Sequence, residues 1–164
     1  GMSIDPANYT GIDGDYIQPE QLLIQPDQFI AHDLTQKINL RKKFDLVISL
    51  EVAEHLPPEA ADTFIDNLCR HSDTILFSAA IPKQGGNNHL NEQWQSYWAE
   101  KFITRGYAVY DFIREQIWNN KEVPYYYRQN ILVFSKRVLE TYNRPVIDAV
   151  HPDKYMEVIN AASV

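Results

Sequence analysis

The sequence predicts an α/β fold with a mostly parallel sheet, and three observations carry that expectation. Short strand-like runs alternate with helix-like ones along most of the chain, the pattern of strands joined by crossover helices. One run, Phe44 to Leu50 (FDLVISL), is apolar almost throughout, as in a strand covered on both faces. The chain has 164 residues, the size of one compact unit with a core of its own.

The elements follow in order. Tyr9 to Asp13 is β-leaning and closed by Gly14, a strand ending in a turn. Pro19 to Ile24 opens with a proline suited to a first helical turn, and Pro26 stops it. Phe29 to Asp33 reads as a second strand and Phe44 to Leu50 as a third. Pro58 to His71 places Ala61, Phe64, Ile65 and Leu68 on one helical stripe, with Asp62, Asp66 and Arg70 off it. Asp73 to Ile81 is a further buried-looking strand, ended by Pro82, and Gln84 to Asn88 (QGGNN) is the clearest loop. Asn91 to Arg105 spaces Trp94, Trp98 and Phe102 four apart, and Gly106 sits where a helix C-cap belongs. Tyr107 to Ile113 and Asn130 to Phe134 read as two last strands with only a polar, aromatic stretch between them, so a terminal antiparallel hairpin is expected. Beyond Lys136 the pattern weakens to a tail with a short helix at Lys154 to Ala161.

Composition narrows the function classes. Fifteen basic against twenty-two acidic residues leave a net charge of −7, which argues against nucleic acid as a partner and against anionic membrane. Arg41-Lys42-Lys43 reads as a solvated turn. The single cysteine, Cys69, excludes an internal disulfide framework and a cysteine-based zinc cluster and continues the helix stripe as inert core. No apolar run approaches the ~20 residues needed to span a bilayer, so a cytoplasmic, reducing location is expected. Gly1 ahead of Met2 resembles the scar of a cleaved tag, which puts the natural start at Met2.

Ligands of open parallel sheets sit at the carboxyl ends of the strands. Asp13, Asp33 and Glu51 end three successive predicted strands, which suggests a pocket with several acceptor groups. Asp13, after a Gly-Ile-Asp turn, is placed to accept both hydroxyls of a ribose.

Gly11-Ile12-Asp13, Asp33-Leu34 and FDLVISLEVAEHLPP (Phe44 to Pro58) together resemble the class I S-adenosylmethionine-dependent methyltransferases, from about Tyr9 to Phe134. The resemblance implies a Rossmann-like three-layer sandwich, with residues 1–140 as a truncated domain and 141–164 as a C-terminal tail. It implies S-adenosylmethionine as cofactor, bound by Gly11, Asp13, Asp33, Leu34, Leu50 and Glu51. Asp13 would hold the ribose, Asp33 and Leu34 would lie at the adenine, and Leu50 and Glu51 would line the methionine and substrate end. The family's glycine-rich loop after a first strand is missing, as are that strand and its helix. Only ten residues precede Gly11, against roughly 30 in a βαβ unit. That strand is central in the family, so either the strands at Thr10–Asp13 and Phe44–Leu50 pair directly, another chain contributes a strand, or the chain is part of a longer enzyme. Open strand edges invite association, and a homodimer is expected.

Glu51, Glu54 and His55 are spaced i, i+3, i+4 and would share one face of a helix. They make a candidate site for a divalent metal such as Mg²⁺, Mn²⁺ or Fe²⁺. The Glu-x-x-Glu-His spacing is similar to that of metal-assisted O-methyltransferases, among them ubiquinone-biosynthesis enzymes and small-RNA terminal 2′-O-methyltransferases; in the RNA group a further histidine in the loop after the next strand completes the site, which implies His89 here. Without a metal, His55 or His89 is suited to act as general base, with Glu51 beside them as a third candidate catalytic group. The expected reaction is methyl transfer to an oxygen or nitrogen of a small molecule. The rivals are a non-catalytic relative acting as an interaction or regulatory protein, and a metal-dependent hydrolase. Trp94, Tyr97, Trp98 and Phe102 read as core, whereas Tyr125-Tyr126-Tyr127-Arg128 with Trp118 reads as a loop forming a substrate lid or an oligomer surface.

Overall fold

The structure, a computed structural model, describes residues 8–139 and 147–162. It is a mixed α/β fold whose strands form two sheets. In the smaller sheet β1 (Gly11–Asp13) pairs in parallel with β2 (Phe29–Ala31). The larger sheet has the order β3-β4-β6-β5, built from β3 (Val47–Leu50), β4 (Thr74–Ser78), β5 (Ala108–Tyr110) and β6 (Leu132–Ser135). β3 and β4 are parallel, and β6 runs antiparallel to both β4 and β5. The expected terminal antiparallel pair is present, but among the described residues the parallel ladders are β1–β2 and β3–β4, the latter preceded by a single parallel bridge at Phe44 and Ser72, so the larger sheet is mixed and not mostly parallel.

The expected helix at Pro19–Ile24 is a single 3-10 turn over Pro19–Gln21, followed by a second over Pro26–Gln28. Two prolines bracket too few residues for an α-helical nucleus to propagate. The Gln21 side chain instead accepts the Gln18 backbone N–H at 2.8 Å and closes the turn. A 3-10 turn at Pro58–Ala60 runs into α1 (Ala61–His71), where the apolar stripe read from the sequence packs inward through Ala61, Phe64 and Ile65. Asn67 and His71 on the same helix are buried for another reason. Asn67 accepts from Ile38 N and donates to Gln36 O, and His71 Nε2 accepts from Leu40 N, so both fasten the 36–40 segment to α1.

α2 (Gln95–Ile103) supplies Trp98, Ala99 and Phe102 to the core shared with α1, β4 and β6. The Phe102 and Phe134 rings stack at 4.0 Å between centroids, with Phe77 edge-on to Phe102 at 5.3 Å. Trp94 stands outside this group, at the N-cap of α2 and substantially exposed. Asp62 and Asp66 of α1 pair with Lys101 and Arg105, clasping α2 from the solvent side. Cys69 is half-buried, and burial pushes its thiol up to about 11, as expected of an inert position.

The stretch expected as a polar, aromatic loop contains α3 (Phe112–Ile117) and α4 (Tyr125–Asn130). Tyr125-Tyr126-Tyr127-Arg128 is therefore helical. Arg128 is buried and donates to Trp118 O, His151 Nε2 and Asp153 Oδ2, joining α4 to the last helix, α5 (Pro152–Ala162). Arg114 of α3 is likewise buried, paired with Asp111 and bonded to the carbonyls of Gln129 and Ile147.

Phe44 to Leu50 departs furthest from expectation. Only Val47–Leu50 form a strand, and β3 lies at the edge of its sheet. Ile48 is 57 % exposed and Leu46 42 %. β1 and β3 belong to different sheets and are not hydrogen-bonded to each other, so the direct pairing considered above does not occur. A cavity of about 270 Å³ separates them, lined by Ile12 on one side and by Val47, Ile48 and Ser49 on the other.

Candidate metal centre and adjoining cavity

The chain leaves β3 through Glu51, whose φ of 54° lies in the left-handed region. A non-glycine residue there is held by its surroundings at a local cost, a pattern concentrated at functional sites. The Glu51 N–H donates to Ser78 O at 3.0 Å, while its carboxylate accepts from Gln84 Nε2 at 2.9 Å and Asn130 Nδ2 at 3.1 Å. Gln84, Gln129 and Asn130 are themselves buried and bonded to one another. Buried Lys154 of α5 donates to Gln84 O at 2.7 Å and fixes that loop from the other side.

A 3-10 turn at Ala53–His55 follows, in place of the longer helix the spacing implied. It brings Glu54 and His55 to His89, with one ligand atom of each within 4.8 Å of the others. The loop carrying His89 is tied down by its own backbone, since the N–H groups of Leu90 and Asn91 both donate to Glu54 O, at 2.8 and 3.0 Å.

Glu54 is fully buried, and among the described residues no well-formed hydrogen bond reaches its carboxylate oxygens, although the Ala80 N–H and the Glu51 carboxylate lie close to them. Burial first, and repulsion from the nearby Glu51 carboxylate second, push its pKa up. A buried carboxylate beside two imidazoles is a donor set that could hold a divalent cation. His89 fits this role in a second way. Its Nδ1 lies 2.9 Å from Glu92 Oε1, and a carboxylate at one ring nitrogen orients the other toward a metal. Burial works against the Glu92 charge, but hydrogen bonds from His89 and from the Gly85 and Lys83 N–H groups outweigh it and hold its pKa below the ordinary range. His55 is exposed and edge-on to His89, ring centroids 4.9 Å apart, so the cluster opens toward solvent on its side. Glu51 lies outside this cluster, since its carboxylate is engaged by Gln84 and Asn130.

Gly86 (φ 154°) closes against the His89 ring, where a Cβ would meet Nε2 at 2.3 Å. Replacing Gly86 with alanine therefore displaces His89 while leaving the core untouched. The expected result is a loss of divalent-cation affinity of about tenfold or more together with a lowered Tm, because a φ of 154° strains any side chain at this position, measured by metal titration and thermal denaturation.

The strand-tip acids lie next door. Asp13 and Asp33 line one cavity of about 560 Å³ together with Leu34 and Leu56. Leu56 directly follows His55, so one short segment borders both the cavity and the metal cluster. Asp13 Oδ1 accepts from Gly14 N at 2.7 Å and Tyr16 Oη at 2.6 Å. Asp33 Oδ1 accepts from the Thr35 hydroxyl at 2.7 Å and backbone N–H at 2.9 Å, and these bonds hold its pKa below the usual carboxylate range. Gly11, Leu50 and Glu51 are outside the lining of this cavity. At Gly11 a Cβ would meet Ile24 Cδ1 at 2.7 Å, which ties that glycine to packing.

Sequence reasoning missed Glu92, Gln84, Gln129, Asn130 and Lys154. Glu92 carries a readable signal, a carboxylate three residues after a candidate ligand; the amides are distant in sequence and carry none. The chain matches no protein-family model, no curated protein and no solved structure. Among the described residues, no helix is long and apolar enough to cross a membrane.

Proposed function

We propose that this chain is a methyltransferase-like α/β domain, of Rossmann-like layering, that binds S-adenosylmethionine and transfers its methyl group to an oxygen or nitrogen of a small molecule. The observation that carries the reading is the shared cavity of Asp13 and Asp33 at the tips of two parallel strands, bordered by the segment that also bears the metal cluster. Its volume suits a nucleoside-sized ligand.

The residues fit the adenosine half of that cofactor. Asp13 offers a carboxylate to the ribose hydroxyls, with exposed Tyr16 now donating where a hydroxyl would. Asp33 and Leu34 offer an acceptor and an apolar wall to the base. S-adenosylmethionine supplies an electrophilic methyl group on a sulfonium, so the protein's task is chiefly alignment and proton removal. Glu54, His55 and His89 would hold a divalent ion, which would bind neighbouring oxygens of an acceptor and acidify one of them. Two imidazoles and one carboxylate favour Mn²⁺, Fe²⁺ or Co²⁺ over Mg²⁺. Without an ion, exposed His55 is the better-placed general base. A cytoplasmic location and a homodimer belong to the same reading.

Titration calorimetry with S-adenosylhomocysteine tests it. The expected result is binding by the native chain and its loss in Asp13→Ala; absence of heat at millimolar ligand overturns the reading. A non-catalytic interaction protein is the second reading, favoured by the open groove between β1 and β3, beside which no glycine-rich turn stands among the described residues.

A further inference from the structure

α5 docks on the rest of the protein through a lysine. From Pro152 to Ala161 the only buried residue is Lys154, although an apolar side chain would anchor a helix without taking an ammonium group out of water. The carboxylate it meets, Glu157 Oε1 at 3.2 Å, belongs to a largely exposed side chain, and a pair of that kind offsets little of the penalty. The shorter bond runs from Lys154 Nζ to Gln84 O at 2.7 Å, a charge-assisted bond to a backbone carbonyl.

What lies behind that carbonyl gives the lysine a second task. Gln84 C=O and Gly85 N–H belong to one planar trans peptide and point in opposite directions. Lys154 holds one end of it, and the other end donates to Glu92 Oε1 at 2.9 Å. The same oxygen lies 2.9 Å from His89 Nδ1, while Glu92 Oε2 accepts from Lys83 N at 2.7 Å. Lys83 and Gly85 both lie in the left-handed region, with φ of 66° and 76°, a conformation that costs a lysine free energy and is held here by the bonds its neighbours make. Ammonium, peptide, carboxylate and imidazole thus form one continuous run. Hydrogen bonds in such a run polarise one another, and a carboxylate at Nδ1 decides which ring nitrogen is left to bind a cation.

We infer that Lys154 is a positioning residue of the cation site: through the Gln84–Gly85 peptide it orients Glu92, and Glu92 holds His89 as the Nδ1–H tautomer with Nε2 as the ligating nitrogen. The inference rests on the reading of Glu54, His55 and His89 as a cation site, and it adds the C-terminal helix to that site.

Nitrogen-15 NMR of the imidazole rings, recorded without metal at one alkaline pH, and cobalt titration test it. Lys154→Met keeps the length of the side chain and removes its charge. It is expected to convert His89 from the Nδ1–H tautomer to a mixture and to weaken cobalt binding about tenfold. Asp153→Ala removes the Arg128 partner one residue away, and is expected to leave the tautomer as it is and the affinity within about twofold. In a Glu92→Gln background, Lys154→Met is expected to cost less than about twofold further, because both changes act on one path. Where circular dichroism shows that Lys154→Met fails to fold, Lys154→Gln decides by the same readouts. An unchanged tautomer, or an unchanged affinity in a chain that binds cobalt, overturns the inference, as do equal effects of Asp153→Ala or full additivity with Glu92→Gln. A native chain that binds no cobalt overturns the metal reading, and the tautomer, read without an ion, still decides the link from Lys154 to His89.

Discussion

Replacing Glu54 with glutamine will remove divalent-cation binding and leave the metal-free protein at least as stable as the native chain. The side chain is fully buried, and burial and the Glu51 carboxylate beside it both disfavour its charge. A buried carboxylate held by a cation loses stability with its charge, whereas one next to a like charge bears a desolvation penalty that neutralisation relieves. Glutamine keeps the volume and removes the anionic ligand. Cobalt titration followed by visible absorption is expected to show a loss of affinity of about 100-fold or more, against roughly 10-fold to 100-fold for Glu92→Gln, which acts through the orientation of His89. Thermal denaturation without metal is expected to show an equal or higher Tm for Glu54→Gln. A lowered Tm with cobalt binding intact would mark Glu54 as structural.

The largest effect on stability is expected at Phe102. Its ring is fully buried, stacked on Phe134 and edge-on to Phe77 and Tyr107. It thereby joins α2 to strands β4 and β6 and to the chain entering β5. Truncation to alanine removes the ring from the centre of the core and leaves a cavity that four elements would have to collapse into together. Phe102→Ala is expected to cost about 3–5 kcal/mol, or roughly 10 °C in Tm for a domain of this size, measured by denaturant and thermal unfolding. Ile103, the next residue, is half exposed, and Ile103→Ala is expected to change stability by less than about 1 kcal/mol. Similar costs at the two positions would contradict this core.

These contrasts separate what could be read in advance from what could not. Helical periodicity placed Phe64, Ile65, Trp98 and Phe102 correctly, because an amphipathic helix declares its buried face in its own spacing. The alternation of elements likewise placed Asp13 and Asp33 at neighbouring strand tips, and the spacing of Glu54 and His55 put them together, whereas His89 came from the family resemblance and not from spacing. Four-residue β3 was misread because FDLVISL describes what the strand side chains tolerate, not whether a neighbouring strand is there to cover them. Tyr125 to Asn130 was misread for the opposite reason. Three consecutive tyrosines carry no helical preference, and that turn is held by Arg128 reaching Trp118, His151 and Asp153, contacts visible only in three dimensions. Glu51 was legible as a polar group at a strand end but not as a strained residue locked by Gln84 and Asn130, because its partners lie 33 and 79 residues away.

The most direct test is a crystal structure of the chain grown with S-adenosylhomocysteine and Mn²⁺. A ribose on Asp13, an adenine against Asp33 and Leu34, and an anomalous manganese peak among Glu54, His55 and His89 are expected. A nucleoside bound elsewhere, or a strand-tip cavity that stays empty at saturating ligand, would contradict the proposed function.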